Sequence, residues 1–240
     1  MRTPGKRVCR KATRVRIPAH PLASFVLVLL IISAGATRAA EENVAGVDLA
    51  GLARRQFEQG QMDAALKTVN GIEQRSESNA RSYILKGRIL AEQQKSDEAI
   101  AAFDSAYKLD PASSARLHLA EMFVREKKWD DARALYEKAI KETNVLISNE
   151  RLRYGLLIAA LGAQDEERAR VAFDSLPFPT ESAAYYYAQA AWAFAHGGKS
   201  DADKWLRRAE EIFPAKSTAM FARALFDLGW IKTKPPMVAD

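Results

Sequence analysis

Residues able to carry out acid-base, nucleophilic or metal chemistry are few in this 240-residue chain. Beyond residue 39 only His118 and His196 remain of the three histidines, and no cysteine remains. Neither histidine lies at a metal-ligand spacing, and the sequence contains no G-x-S-x-G, phosphate-loop or dinucleotide-binding motif. The carboxylates fall mostly on predicted solvent-facing sides of helices. We therefore predict no metal, no cofactor, no catalytic residue and a protein that is not an enzyme.

The N-terminal segment, at positions 1–39, has the composition of an export signal. Residues 1–20 carry seven basic residues and no acidic one, and the apolar run LASFVLVLLIISAGA follows at 22–36. This order is typical of a secretory signal. Small residues permit cleavage after Ala36 or after Ala39, and we favour Ala39. The alternative is an uncleaved membrane anchor at 22–37, because the uncharged stretch there is as long as the shortest spanning helices, about 17 residues.

Removal of this segment would change the charge of the protein. The formal net charge of the whole chain is +6, but residues 1–39 hold eight of the 36 Lys and Arg and none of the 30 Asp and Glu. No basic cluster with interleaved aromatics occurs in the remainder, so nucleic acid is not an expected partner. The only cysteine, Cys9, precedes the apolar run, and a cysteine-free body suits an oxidising compartment. We expect a periplasmic or secreted protein.

A pattern of small and apolar residues repeats five times along the rest of the chain. Each copy has a leading alanine, an apolar residue four positions on and a small or apolar residue seven positions on. The leading alanines are Ala65, Ala99, Ala132, Ala169 and Ala202. Their intervals are nearly equal, and only the third, from Ala132 to Ala169, is longer. Each alanine follows a separate apolar helical pattern by about twelve residues, which indicates five pairs of helices.

The clearest copy, residues 80–113, resembles a tetratricopeptide repeat, whose family period is about 34 residues. Its first helix has Tyr83 and Gly87 on one face, its second has Ala99 and Phe103, and Pro111 closes the unit. The resemblance covers about residues 46–231 and implies an all-α, right-handed superhelical solenoid of about five helix pairs plus a C-terminal capping helix. Gly87 is expected at a close helix contact, where leucine would destabilise the fold and alanine would be mild.

The predicted domain boundaries follow from this pattern. We assign 1–39 to the signal peptide or anchor, 40–46 to a linker, 47–231 to the solenoid and 232–240 to a loose tail. The longer third interval is interpreted as a longer helix or loop, with a hinge near residue 147 as the alternative. The helix at 217–231 is interpreted as an end cap, because solenoids need one. Weak self-association through this helix is the alternative.

The first helix of each pair lines the binding surface in proteins that this sequence resembles. Away from the packing face, those helices present a mixed surface here, basic at one end and aromatic at the other. The candidate binding residues are Arg54, Phe57, Arg88, Tyr154, Tyr187 and Phe194. For each aromatic residue, burial between helices is an equal alternative to exposure in the groove.

These observations favour an exported scaffold that binds a segment of a partner protein and mediates complex assembly. A carbohydrate or cell-wall binding module is the first alternative, because tyrosines in a groove also stack on sugars. An accessory subunit of an envelope enzyme is the second. Chaperone docking is not favoured, because no asparagine occupies the first-helix positions that the resemblance would assign to carboxylate binding.

Overall fold

The computed structural model describes residues 48–75, 78–142 and 146–237. Residues 1–47, on which the export-signal, anchor and linker predictions fall, lie outside the described residues. Asp48–Asp240 forms one compact unit. The described part of this unit consists of eleven α-helices joined by turns and contains no strand. The all-α prediction is confirmed.

The helices form five antiparallel pairs, followed by one further helix. Their bounds are α1 Leu49–Glu58, α2 Met62–Gln74, α3 Ala80–Glu92, α4 Ser96–Leu109, α5 Ala115–Arg125, α6 Trp129–Glu142, α7 Leu146–Gly162, α8 Glu166–Asp174, α9 Ala184–Ala195, α10 Lys199–Ile212 and α11 Ala215–Asp227. The pairs are therefore α1/α2 to α9/α10, and α11 is the predicted C-terminal helix. Helix α7, at 17 residues, is the longest of those described and accounts for the longer third interval.

The turn inside each pair contains one residue with positive φ, a backbone conformation that lets the chain leave the first helix. These residues are Gly60, Gln94, Lys127, Gln164 and Gly197, with φ between 58° and 77°. Each lies five positions before the leading alanine of its own repeat. Two are glycines, which adopt positive φ without steric cost, whereas the other three are not. The five turns thus mark the same point of each repeat.

The five leading alanines all lie at the contact between the two helices of a pair, and each is fully buried at 0% exposure. A larger side chain there would push the helices apart, which explains the small residue. The facing helix also needs a small residue at this contact, and it has Gly87. A Cβ atom added to Gly87 would lie only 2.7 Å from the Phe103 ring. Gly155 on α7 makes a similarly close contact with the Tyr136 ring, which belongs to the second helix of the preceding pair.

This contact corrects one expectation, that Gly87→Ala is mild. Even a methyl group at residue 87 would overlap the ring of Phe103, which is itself 2% exposed. Because the ring is enclosed, it has little room to move away. Alanine is therefore expected to be destabilising at this position, although helix propensity alone favours it.

The first helices of neighbouring repeats lie side by side, and the second helices pack behind them. Contacts run from α1 to α3, α3 to α5, α5 to α7 and α7 to α9, while α2, α4 and α6 contact the first helix of the next repeat. The buried apolar residues accordingly form clusters that extend along the row of repeats. This is the core expected of a solenoid, in which each repeat packs on its neighbours.

Helix α11 contacts the last repeat through α10, and it also lies across the first helices α5, α7 and α9. Residues 232–237 follow it and differ from the predicted loose tail. Pro235 is buried, the Lys234 ammonium lies 2.8 Å from the Glu92 carboxylate, and Met237 packs on the cluster around Phe57. We call α11 and the residues after it, 215–237, the C-terminal segment. None of the described helices is long and apolar enough to cross a membrane.

Candidate binding groove

The row of first helices forms the floor of a groove, and the C-terminal segment lies on that floor. Phe221 of α11 meets the ring of Tyr154 edge-on, with centroids 5.3 Å apart, and the ring of Tyr187 at 5.9 Å. The Tyr154 hydroxyl donates a hydrogen bond of 3.0 Å to the Phe221 carbonyl oxygen. Side chains from α7 and α9 therefore hold one turn of α11.

Ion pairs fix the same helix to α3. The Arg223 guanidinium donates to the Glu92 carboxylate at 2.6 Å, a contact between residues 131 positions apart in the sequence. Lys234 approaches the second carboxylate oxygen of Glu92 at 2.8 Å. Burial would raise the pKa of Glu92, but hydrogen bonds and charge from these two cations lower it. The charged form of Glu92 is therefore stabilised by basic residues of the segment that covers the groove.

Asp227, at the end of α11, is in a less favourable position. Its carboxylate accepts a 3.4 Å hydrogen bond from Arg223 and lies 4.0 Å from Arg125. Burial nevertheless raises its pKa, and the nearby Glu92 contributes in the same direction. The basic residues of the C-terminal segment thus form favourable ion pairs on the groove, whereas the charged form of its acidic residue is disfavoured.

A cavity of about 160 Å³ remains between α11 and the floor. Its polar end holds Glu121, which accepts hydrogen bonds from Arg151 at 2.7 Å and lies 3.2 Å from Nδ1 of His118. The Glu121 side chain is 37% exposed and faces this cavity, where the neighbouring side chains partly desolvate it. Burial raises the pKa of Glu121, but Arg151 and His118 have the larger opposite effect and lower the pKa to about 2. Burial also raises the pKa of Tyr136 well above its usual range.

Glu121 should make the stability of the fold sensitive to acid. Because its pKa is lower in the folded protein, its carboxylate stabilises the fold above the unfolded pKa of 4.5, and this contribution is lost as the pH falls towards about 2. We expect Glu121→Gln to flatten the dependence of melting temperature on pH in that window. Glu167→Gln, on the exposed face of α8, is the control and should keep the wild-type slope. Parallel profiles for all three proteins would contradict this role.

A second, open groove of about 980 Å³ lies on the other side of α11. It is lined by apolar residues of four helices and of the turn after α10, among them Leu117, Leu152, Phe213 and Met220. The C-terminal segment therefore covers part of the floor and leaves another part open.

Four of the six candidate binding residues, Arg54, Phe57, Arg88 and Phe194, differ in how accessible they are to solvent. Arg54 is exposed on α1, and Arg88 lies over the Phe57 ring at 5.0 Å in a cation-π contact. Phe194 is half-buried and stacks on Trp230 at 6.0 Å. Phe57 faces the cavity beside Met237 and is 1% exposed. Arg54, Arg88 and Phe194 thus keep an accessible part, and Phe57 does not.

The two candidate tyrosines correct the expectation of an aromatic groove surface. Tyr154 is 3% exposed and Tyr187 is 2% exposed, because Phe221 covers both rings. They are part of the packing between the floor and α11, and they do not form an accessible aromatic surface while that helix is in place. This removes the observation on which the carbohydrate-binding alternative rested.

Glu92 is one groove residue that is missing from the predicted binding residues. It lies four positions after Arg88 on α3 and so shares its helical face, a signal that is available in the sequence. No group of three or more histidine, cysteine or carboxylate side chains able to hold a metal ion occurs among the described residues.

Comparison with known proteins agrees with this architecture. A family model described as tetratricopeptide repeat matches residues 51–114 and 84–147, which together span α1 to α6. The fold is similar to the crystal structure, at 2.39 Å resolution, of a tetratricopeptide repeat protein from Parabacteroides merdae ATCC 43184. The TM-score is 0.61 with 16% identity, and the match covers 87% of this chain and 88% of that one. A search of curated proteins gives no match.

Residues 51–147 thus match tetratricopeptide repeats, and the fold of the described residues is consistent with a helical solenoid of such repeats. Such repeats generally mediate protein–protein interaction, and the fold is typically that of a non-catalytic scaffold. Repeats of this kind suggest a protein–protein interaction scaffold.

Proposed function

We propose that this protein is an exported scaffold that binds a segment of a partner protein on its row of first helices and thereby assembles a complex. The observation that carries the proposal is the C-terminal segment itself. A helix from the same chain rests on that row through an aromatic contact and ion pairs, as a helical segment of another protein would. The groove therefore has the shape and chemistry to accept a helix.

Export is proposed from the residues at 1–39 alone, with their basic start, apolar run and small residues before position 40. The mature protein is expected to begin at about Ala40 and to reside in the periplasm or outside the cell. Sequencing of the N-terminus of the protein purified from the cell envelope tests this. An intact residue 1 in a carbonate-washed membrane fraction would favour the anchor at 22–37.

A photo-crosslinking amino acid tests where the partner binds. Placed at Leu117, in the open groove beside α11, it should couple to a defined segment of one envelope protein, identified by mass spectrometry. The matched control is the same amino acid at Val171, which is 67% exposed on α8 and contributes to neither cavity. Coupling from position 171 alone would move the binding surface to the second helices and contradict the proposal.

A further inference from the structure

The C-terminal segment is held on the groove at three separate places. Phe221 packs on the two floor tyrosines, Arg223 and Lys234 pair with Glu92, and Met237 packs on the cluster around Phe57. These contacts are spread along the segment and reach from α9 back to the first repeat. The segment is thus bound in the way that an amphipathic helix with an extended continuation would be bound.

The charges on the groove specify what can occupy it. The Glu92 side chain is only 10% exposed, and a buried carboxylate left without a cation is strongly unfavourable. The occupant must therefore supply at least one basic group at this point, and the C-terminal segment supplies two. An acidic helix would place like charges on Glu92. Arg125 and Arg151 line the same cavity, so this requirement applies at Glu92 and not to the whole occupant. The groove therefore selects a helix with a basic residue facing Glu92.

The fit of the C-terminal segment is incomplete. It leaves the cavity of about 160 Å³ beneath α11, where a better-matched occupant would make contacts. It also brings Asp227 close to Glu92 in a partly buried environment, with its side chain 14% exposed. An occupant with larger apolar residues and without an acid at that position would fill the space and avoid the repulsion.

We propose that the C-terminal segment is an exchangeable occupant of the groove, and that the partner protein displaces it with an amphipathic helix that presents a basic residue to Glu92. This inference rests on the proposed function, because it names the chemistry of the partner segment. It adds that binding is gated, since a partner helix gains access only in the fraction of molecules whose own segment has left. The partner would otherwise use the open groove and leave α11 in place.

The test uses a fluorescent synthetic peptide of residues 214–237 and measures its anisotropy with the full-length mature protein. In the variant Arg223→Glu with Lys234→Glu, two acids face Glu92, so the protein's own segment should detach and leave the floor free. We expect this variant to bind the wild-type peptide about thirtyfold more tightly than the wild-type protein does, because reversing a buried charge pair changes affinity by at least that factor. The gentler Arg223→Gln should give an intermediate gain.

Two matched controls identify the contact. A peptide carrying both Arg223→Glu and Lys234→Glu should bind neither protein, because it presents only acids to Glu92. Adding Glu92→Arg to the double variant restores opposite charges within the chain, so that this triple variant should bind the wild-type peptide as weakly as the wild-type protein does. Melting curves and helical circular dichroism of each variant are recorded alongside.

Several outcomes would overturn the inference. Equal affinity of the wild-type peptide for the wild-type and double-variant proteins would mean that the floor does not accept a helix from outside. Unfolding of both the double variant and Arg223→Gln would mean that the segment is a fixed part of the fold. Dimers of the wild-type protein with mutually exchanged segments would make a second copy the occupant. The photo-crosslinking result at Leu117 is independent of all three, so the proposed function can survive them.

Discussion

Tyr154→Ala is expected to lower the free energy of unfolding by about 3 to 5 kcal/mol, the range for removal of a large buried aromatic side chain. The side chain is 3% exposed and packs edge-on against Phe221, and its hydroxyl group donates to the Phe221 carbonyl oxygen. Truncation would leave a void between α7 and α11 and remove the hydrogen bond to the Phe221 carbonyl oxygen. Urea denaturation followed by helical circular dichroism measures the loss.

Two comparison variants separate packing from hydrogen bonding. Tyr154→Phe keeps the ring and should cost about 1 kcal/mol, the value of one hydrogen bond. Val171→Ala, at a residue 67% exposed, should change stability by less than about 0.5 kcal/mol. If Tyr154→Ala cost no more than Val171→Ala, the tyrosine would be accessible to solvent, and the assignment of the floor would be wrong.

Gly87→Leu is expected to destabilise the protein by about 1 to 3 kcal/mol or more, because it overfills a closely packed contact. The Phe103 ring already lies 2.7 Å from the position of a Cβ, and further side-chain atoms would have to displace it. Gly87→Ala should also destabilise, by a smaller amount. Thermal unfolding of the three proteins under one set of conditions gives the order.

A second helical glycine provides the control for this prediction. Gly71 in α2 has only one atom within reach of its Cβ position, the Leu49 Cδ1 at 4.0 Å. Gly71→Ala should therefore stabilise the protein by about 0.5 to 1 kcal/mol, through helix propensity alone. If Gly71→Ala destabilised the protein and Gly87→Ala stabilised it, the close helix contact would lie at Gly71 and not at Gly87. The alignment of the repeats used here would then be wrong.

The repeats could be predicted from the sequence because their packing is local. Ala99 and Phe103 lie four positions apart on α4, and the helix that they contact, α3, comes directly before it in the chain. Such a contact recurs in every repeat, so five weak patterns reinforce one another. The positive φ of Gln94, Lys127 and Gln164 could not be predicted, since these residue types do not signal that conformation as glycine does.

That α11 covers the groove could not be predicted, because it depends on contacts between residues far apart in the sequence. Whether Tyr154 faces solvent or a helix is decided by α11, which comes four helices later in the chain than α7. The ion pair of Glu92 with Arg223 joins α3 to α11 and follows no periodicity. Prolines and short length predict a loose tail, yet Lys234 and Met237 give it specific contacts.

The C-terminal segment lies on the groove and is held there by the charge on Glu92. Hydrogen exchange of the α11 amides, measured by mass spectrometry, tests it most directly. We expect protection in the wild type, loss of protection confined to the C-terminal segment in Arg223→Glu with Lys234→Glu, and recovery when Glu92→Arg is added. Unchanged protection of α11 in the double variant, or no recovery in the triple variant, would contradict it.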